Sequence, residues 1–103
     1  MFDFVLAVNK FSHPPQRGFF LTNSKRIIFK KTKFYKYRTQ DLNPMYHDAG
    51  QFYWGKTDSW LKNKRIFSKN SCVEIIPITK SVDIDNLEDL ELAKTIYLFN
   101  KQK

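Results

Sequence analysis

The sequence predicts an α/β protein with a mixed sheet and flanking helices. Three observations carry this. An uninterrupted apolar run stands at Phe4 to Val8, an aromatic run lies between Gly50 and Gly55, and a capped helical pattern runs from about Leu87 to Phe99. Short continuous apolar runs suit strands covered on both faces, and recurrence at three and four residues suits a helix.

The first run, Phe2-Asp3-Phe4-Val5-Leu6-Ala7-Val8, reads as a buried central strand that must find its neighbours elsewhere. Ser12-His13-Pro14-Pro15 breaks the pattern as a loop. Phe19 to Leu21 and Arg26 to Phe29 flank the polar residues Thr22-Asn23-Ser24-Lys25, the pattern of a hairpin. From Lys30 to Arg38, cations alternate with Phe34, Tyr35 and Tyr37. The aromatic strand Gly50 to Gly55 follows. Thr57 is then expected to cap a short helix carrying Asp58, Trp60 and Leu61, with Lys62, Lys64 and Arg65 near its end. Val73 to Ile78 reads as a strand that Pro77 places at an edge or an end. In the last helix Asn86 is the expected cap, Glu88 and Asp89 place negative charge in the first turn, and Leu90, Ala93, Ile96 and Tyr97 form the apolar face.

At 103 residues the chain allows one domain. Its 42% hydrophobic and 17% aromatic content argues against a disordered chain. The single cysteine, Cys72, excludes an internal disulfide framework and a multi-cysteine zinc site. His13 and His47 offer no clustered ligand spacing. No apolar run reaches the roughly 20 residues of a membrane span, and no secretory leader pattern is visible. The expected setting is therefore cytoplasmic, without a membrane partner. The net charge of +8 favours an anionic partner.

Asp83 and Asp85 stand two apart in the extended stretch Ser81-Val82-Asp83-Ile84-Asp85-Asn86. Extended residues two apart point the same way. Converging carboxylates repel unless a cation lies between them or one is protonated. Mg²⁺ fits, since it takes a few carboxylate oxygens and fills its other positions with water and phosphate. A solvated turn with an N-terminal charge cluster has the same spacing. His47-Asp48 reads as a structural or solvent-facing pair, because adjacent strand residues point to opposite faces. Cys72 reads as a small core residue. The Lys30 to Arg38 strip suits single-stranded nucleic acid, a solvated hairpin flank, or a dimer arm.

Tyr46-His47-Asp48-Ala49-Gly50-Gln51-Phe52-Tyr53-Trp54-Gly55, preceded by Arg38-Thr39-Gln40-Asp41-Leu42 and followed by Asp83-Ile84-Asp85, resembles the C-terminal part of the acylneuraminate cytidylyltransferases. The likeness is to the bacterial pseudaminic acid branch of that family. Phe2-Asp3-Phe4-Val5 and Pro15-Gln16-Arg17 add to it. The resemblance implies a Rossmann-like nucleotidyltransferase fold with a protruding hairpin element for homodimer contact, at about residues 16–41. It implies that CTP and a nine-carbon acidic sugar, pseudaminic or sialic acid, are joined into a CMP-sugar with release of pyrophosphate and a requirement for Mg²⁺. By the same resemblance Asp83 and Asp85 are catalytic metal ligands, and Tyr53, Gln51, Gln16 and Arg17 contact the sugar. Family members are longer, and their N-terminal half carries a loop rich in Gly, Arg and Lys that binds the triphosphate. Gly18, Gly50 and Gly55 form no such cluster. The expectation is a C-terminal portion, inactive alone, with Met1 as an internal start. The alternatives are one chain of a split enzyme, or a small basic nucleic-acid-binding module.

Overall fold

The computed structural model describes residues 2–29, 38 and 41–102. It is a mixed α/β structure whose chain divides into two compact units. One holds residues 1–9 and 47–103, the other Lys10–Tyr46.

The first unit is built on a three-stranded sheet in the order β4-β1-β5: β1 is Phe4–Lys10, β4 Tyr46–Gly55 and β5 Ser71–Ile75. β5 runs parallel to β1, pairing Phe4 with Ser71 through to Val8 with Ile75. β4 lies on the other side, and at that border the Lys56 amide donates to the Asp3 carbonyl at 3.1 Å. The central strand thus finds both neighbours later in the same chain. From Leu6 onward it is covered on both faces, since Leu6, Ala7, Val8 and Asn9 are all buried in succession, whereas Val5 is exposed. Phe4 is the largest buried side chain, and its ring meets Trp60 edge to face at 4.9 Å.

Two expected boundaries move. Helix α1 is Thr57–Leu61, with Lys56 at the cap position and no side-chain cap, so Thr57 is its first helical residue. A single turn needs no cap when it is anchored sideways. Ser59 Oγ donates to Asp3 at 2.9 Å, and Trp60 meets Phe4 edge to face. The cations expected at its end pair with particular carboxylates instead: Lys62 with Asp58 at 3.1 Å, and Lys64 with Asp3 at 3.4 Å. The strand expected over 73–78 is Ser71–Ile75, and Pro77 heads the single turn Ile78–Lys80.

Helix α2, Leu87–Lys101, has the expected cap. Asn86 Oδ1 accepts from the Asp89 amide at 2.9 Å, and Asp89 Oδ2 accepts from the Asn86 amide at 3.2 Å, a reciprocal capping box. Its covered face matches the expected one at Ala93 and Ile96 and departs from it at Leu90 and Tyr97. The half-covered side is Asp89, Ala93, Ile96 and Asn100, whereas Tyr97 is exposed. Two of those four are polar because they serve as cap and anchor: Asn100 Nδ2 donates to the Thr79 carbonyl at 2.7 Å.

In the second unit, β2 (Phe19–Leu21) and β3 (Ile27–Phe29) form the expected antiparallel hairpin, in the register Phe19 to Phe29 and Leu21 to Ile27. Lys25 turns it at φ 66, and Thr22 Oγ1 accepts from the Arg26 amide at 3.0 Å. The 16–41 element falls within this unit. The Lys30 to Arg38 strip lies outside the described residues, except for Arg38, which pairs with Asp41 at 3.3 Å.

Candidate active site

The segment carrying Asp83 is fastened to the C-terminal end of β1. Asn9, almost fully buried, donates from Nδ2 to the Ile76 carbonyl at 2.8 Å and to Ser81 Oγ at 2.7 Å. A buried amide leaves few alternatives to those partners, so Ser81 is fixed where β5 ends. Two residues on, the Asp83 carboxylate lies against Gly50 of β4. A methyl group built on Gly50 would sit 3.0 Å from Asp83 Oδ2 and 3.1 Å from Cγ. Gly50 has φ +68, a left-handed conformation that favours glycine. It therefore breaks the pleat of β4 and leaves room for the carboxylate.

That break has a second effect. Asp48 and Tyr53 are five apart, a spacing that puts side chains on opposite faces of a regular strand. Beyond Gly50 the parity is reversed, and the Tyr53 hydroxyl donates to Asp48 Oδ2. Asp48 Oδ1 accepts from the Gly50 amide at 2.9 Å. The hydrogen bond to Asp48, reinforced by partial desolvation and by the charges of Asp48 and Asp83, holds the Tyr53 phenol above its ordinary pKa, so it keeps its proton at neutral pH. Phe67 meets the Tyr53 ring edge to face at 6.4 Å.

A cavity of about 280 Å³ opens here, lined by Asn9, Asp48, Ser81, Asp83, Asp89 and Leu92 among others. Another hollow, of about 410 Å³, belongs to the second unit and has no carboxylate in its described lining. It is a poorer candidate for charged chemistry for that reason.

The first unit thus brings Asp48, Tyr53 and Asp83 together. Asp85 is exposed just before the cap of α2, its amide donating to Asp89 Oδ2 at 3.0 Å, and lies outside the described cavity lining. Gln51 is turned onto its own strand, Nε2 donating to the Ala49 carbonyl at 3.4 Å. Gln16 and Arg17 sit on the single turn Pro15–Arg17 of the second unit, where Gln16 Nε2 donates to the Asn43 carbonyl at 3.1 Å. Asp48 is the residue that sequence reasoning set aside, with His47, as structural or solvent-facing. Its signal was the Asp-Ala-Gly order, in which the carboxylate can accept the amide two residues on. His47 Nδ1 lies 3.0 Å from the Asp48 carbonyl oxygen.

The site can be compared with known proteins. Two Campylobacter jejuni proteins, from serotypes O:2 and O:23/36, are each named pseudaminic acid cytidylyltransferase. Each is 40% identical to this chain over 99 residues, covering 96% of this chain and 43% of the relative. The chain is a relative of the pseudaminic acid cytidylyltransferases. A Helicobacter pylori protein, named pseudaminic acid cytidylyltransferase and UDP-2,4-diacetamido-2,4,6-trideoxy-beta-L-altropyranose hydrolase, is 40% identical over 77 residues, covering 74% of this chain and 14% of the relative. The chain spans less than half the length of all three cytidylyltransferase relatives. No family model matches it. Among the described residues, no helix is long and apolar enough to cross a membrane.

Proposed function

We propose that these residues form the carboxylate and sugar side of an active site that joins CTP to a nine-carbon acidic sugar, giving a CMP-sugar and pyrophosphate. The observation that carries this is the Asp83 carboxylate packed against Gly50, in one cavity with Asp48 and beside Tyr53. The relationship to the pseudaminic acid cytidylyltransferases supports that substrate class.

The family resemblance implies Mg²⁺, and the donor chemistry fits. Asp83 offers hard carboxylate oxygens inside the cavity, and Asp85, outside its described lining, is the second ligand that the resemblance implies. Gly50 leaves the space beside Asp83 that any side chain would fill. Among the described residues no group of three or more His, Cys, Asp and Glu could enclose a metal. One or two carboxylates with the remaining positions open is the usual arrangement for an ion shared with substrate phosphates. When bound, the ion would set positive charge against the negative charge developing on the departing pyrophosphate.

The chain's own residues have separable tasks. Asn9 and Ser81 hold Asp83 in place. Tyr53 presents its hydroxyl oxygen to the sugar. Gln51, Gln16 and Arg17 are the further sugar contacts that the resemblance implies. A homodimer is supported by the hairpin, where Phe20 and Leu21 are 63% and 61% exposed.

Pyrophosphate release from CTP and pseudaminic acid by the intact protein tests the reading. Asp83→Asn and Asp85→Asn should each cut turnover by about 100-fold or more, with an unchanged far-ultraviolet circular dichroism spectrum. Near-normal Mg²⁺-dependent rates in both variants would overturn it.

A further inference from the structure

We infer that Asp48 is a positioning residue, which takes the only proton of the Tyr53 hydroxyl and so makes Tyr53 a pure hydrogen-bond acceptor for an N–H or O–H donor of the sugar. This rests on the proposed function for the identity of the ligand and on the geometry of β4 for the rest.

An ionised carboxylate only accepts, and a phenol has one proton and two lone pairs. Both Asp48 oxygens are engaged, Oδ1 by the Gly50 amide and Oδ2 by the Tyr53 hydroxyl. With its proton committed, the outward side of the Tyr53 oxygen carries lone pairs alone. Asp83, on the other flank of Gly50, adds a second negative group nearby. The pair discriminates in favour of a sugar bearing amide N–H or hydroxyl donors at this point, and against one presenting a bare carbonyl or carboxylate oxygen.

The asparagine variant inverts this polarity while preserving shape. In Asp48→Asn the amide oxygen stays on the Gly50 amide, which has a proton to give, and the NH₂ group faces Tyr53. The hydroxyl must then accept from Asn and turn its own proton outward. Tyr53→Phe removes the group altogether and serves as the reference background.

Two measurements test this. In the chain labelled with ¹³Cζ tyrosine, Asp48→Asn should move the Tyr53 signal and leave the other four tyrosines in place, while the Gly50 amide signal persists. In the intact protein, Asp48→Asn should raise KM for pseudaminic acid about fivefold, the value of one hydrogen bond of average strength. KM for CTP should stay unchanged, and the rise should vanish when Tyr53 is already Phe. A Tyr53 signal unmoved by Asp48→Asn overturns the inference, as does an equal KM rise in the Tyr53→Phe background. If the wild-type protein makes no CMP-sugar, the function fails on its own account, and the labelled spectrum still decides whether Asp48 sets the polarity of Tyr53.

Discussion

Gly55→Ala should destabilise the first unit by about 3 kcal/mol, at the upper end of the range for overpacking a filled core. Gly55 ends β4, and a methyl group there would lie 2.4 Å from Phe4 Cδ1, 2.6 Å from Phe4 Cε1 and 2.6 Å from Trp60 Nε1. Carbon atoms in contact sit about 3.5–4.0 Å apart, so the Phe4 ring would have to retreat by roughly 1 Å. It has nowhere to go: Phe4 is 1% exposed and its ring already meets Trp60 edge to face. Trp60 is the partner able to give, and its movement would drag α1 off Asp3. The assay is urea unfolding of the purified chain followed by circular dichroism, with Phe4→Leu as a control. Phe4→Leu frees volume at the point of collision, so the double variant should be more stable than the sum of the two single effects allows. A Gly55→Ala midpoint within the scatter of wild type, or strict additivity with Phe4→Leu, would refute the packing argument.

Three further outcomes are expected. Gly50→Ala should cost about 1–2 kcal/mol from the left-handed backbone and should displace Asp83. Gly50→Asn tolerates that backbone better but still meets Asp83, so urea unfolding should show partial recovery of stability, while CMP-sugar synthesis by the intact protein stays impaired in both. Asn86→Ala should cost about 1 kcal/mol, because it leaves the Asp89 amide without its acceptor; a shift in thermal midpoint reads this directly. The hydrogen bond from Ser59, with the hydrogen bond from Lys64 and the charges of Lys64 and Lys56, holds the Asp3 carboxyl below its ordinary value of 3.8 against an opposing desolvation. A depressed folded pKa contributes stability that is complete above 3.8 and is lost as pH falls through the lowered value. Melting of Asp3→Asn should therefore depend less on pH in that acid window than melting of wild type.

Local signals in the sequence were legible wherever one residue type served one purpose. The buried run at Phe4 to Val8, the hairpin at Phe19 to Phe29 and the Asn86 cap all lie where pattern and turn chemistry put them. The covered face of α2 was legible only at Ala93 and Ile96, because Asp89 and Asn100 occupy the rest of it for hydrogen bonding, and hydrophobic periodicity cannot register a polar anchor. Asp48 was hidden for a different reason. Strand alternation assigns it to the face opposite Tyr53, and only the positive φ of Gly50 reverses that assignment. The sequence contains the glycine but not its dihedral angle.

The two glycines of β4 illustrate why composition alone could not have found the site. Gly55 is required because other atoms already fill its side-chain position, the Phe4 ring and Trp60 Nε1. Gly50 is required because its backbone must turn left-handed and because a single flexible carboxylate occupies the adjoining space. The first requirement is a packing constraint, and a smaller Phe4 relieves it without reference to any ligand. The second cannot be relieved by repacking, since the occupant is the Asp83 carboxylate itself. Substitutions at the two positions should therefore separate cleanly. Loss of stability at Gly55 should recover with a core variant, whereas loss of activity at Gly50 should not recover with any change that leaves Asp83 in place. Recovery of CMP-sugar synthesis in Gly50→Ala by a core substitution such as Phe4→Leu would show that Gly50 serves packing alone, and would remove the structural ground for placing Asp83 at the centre of the site.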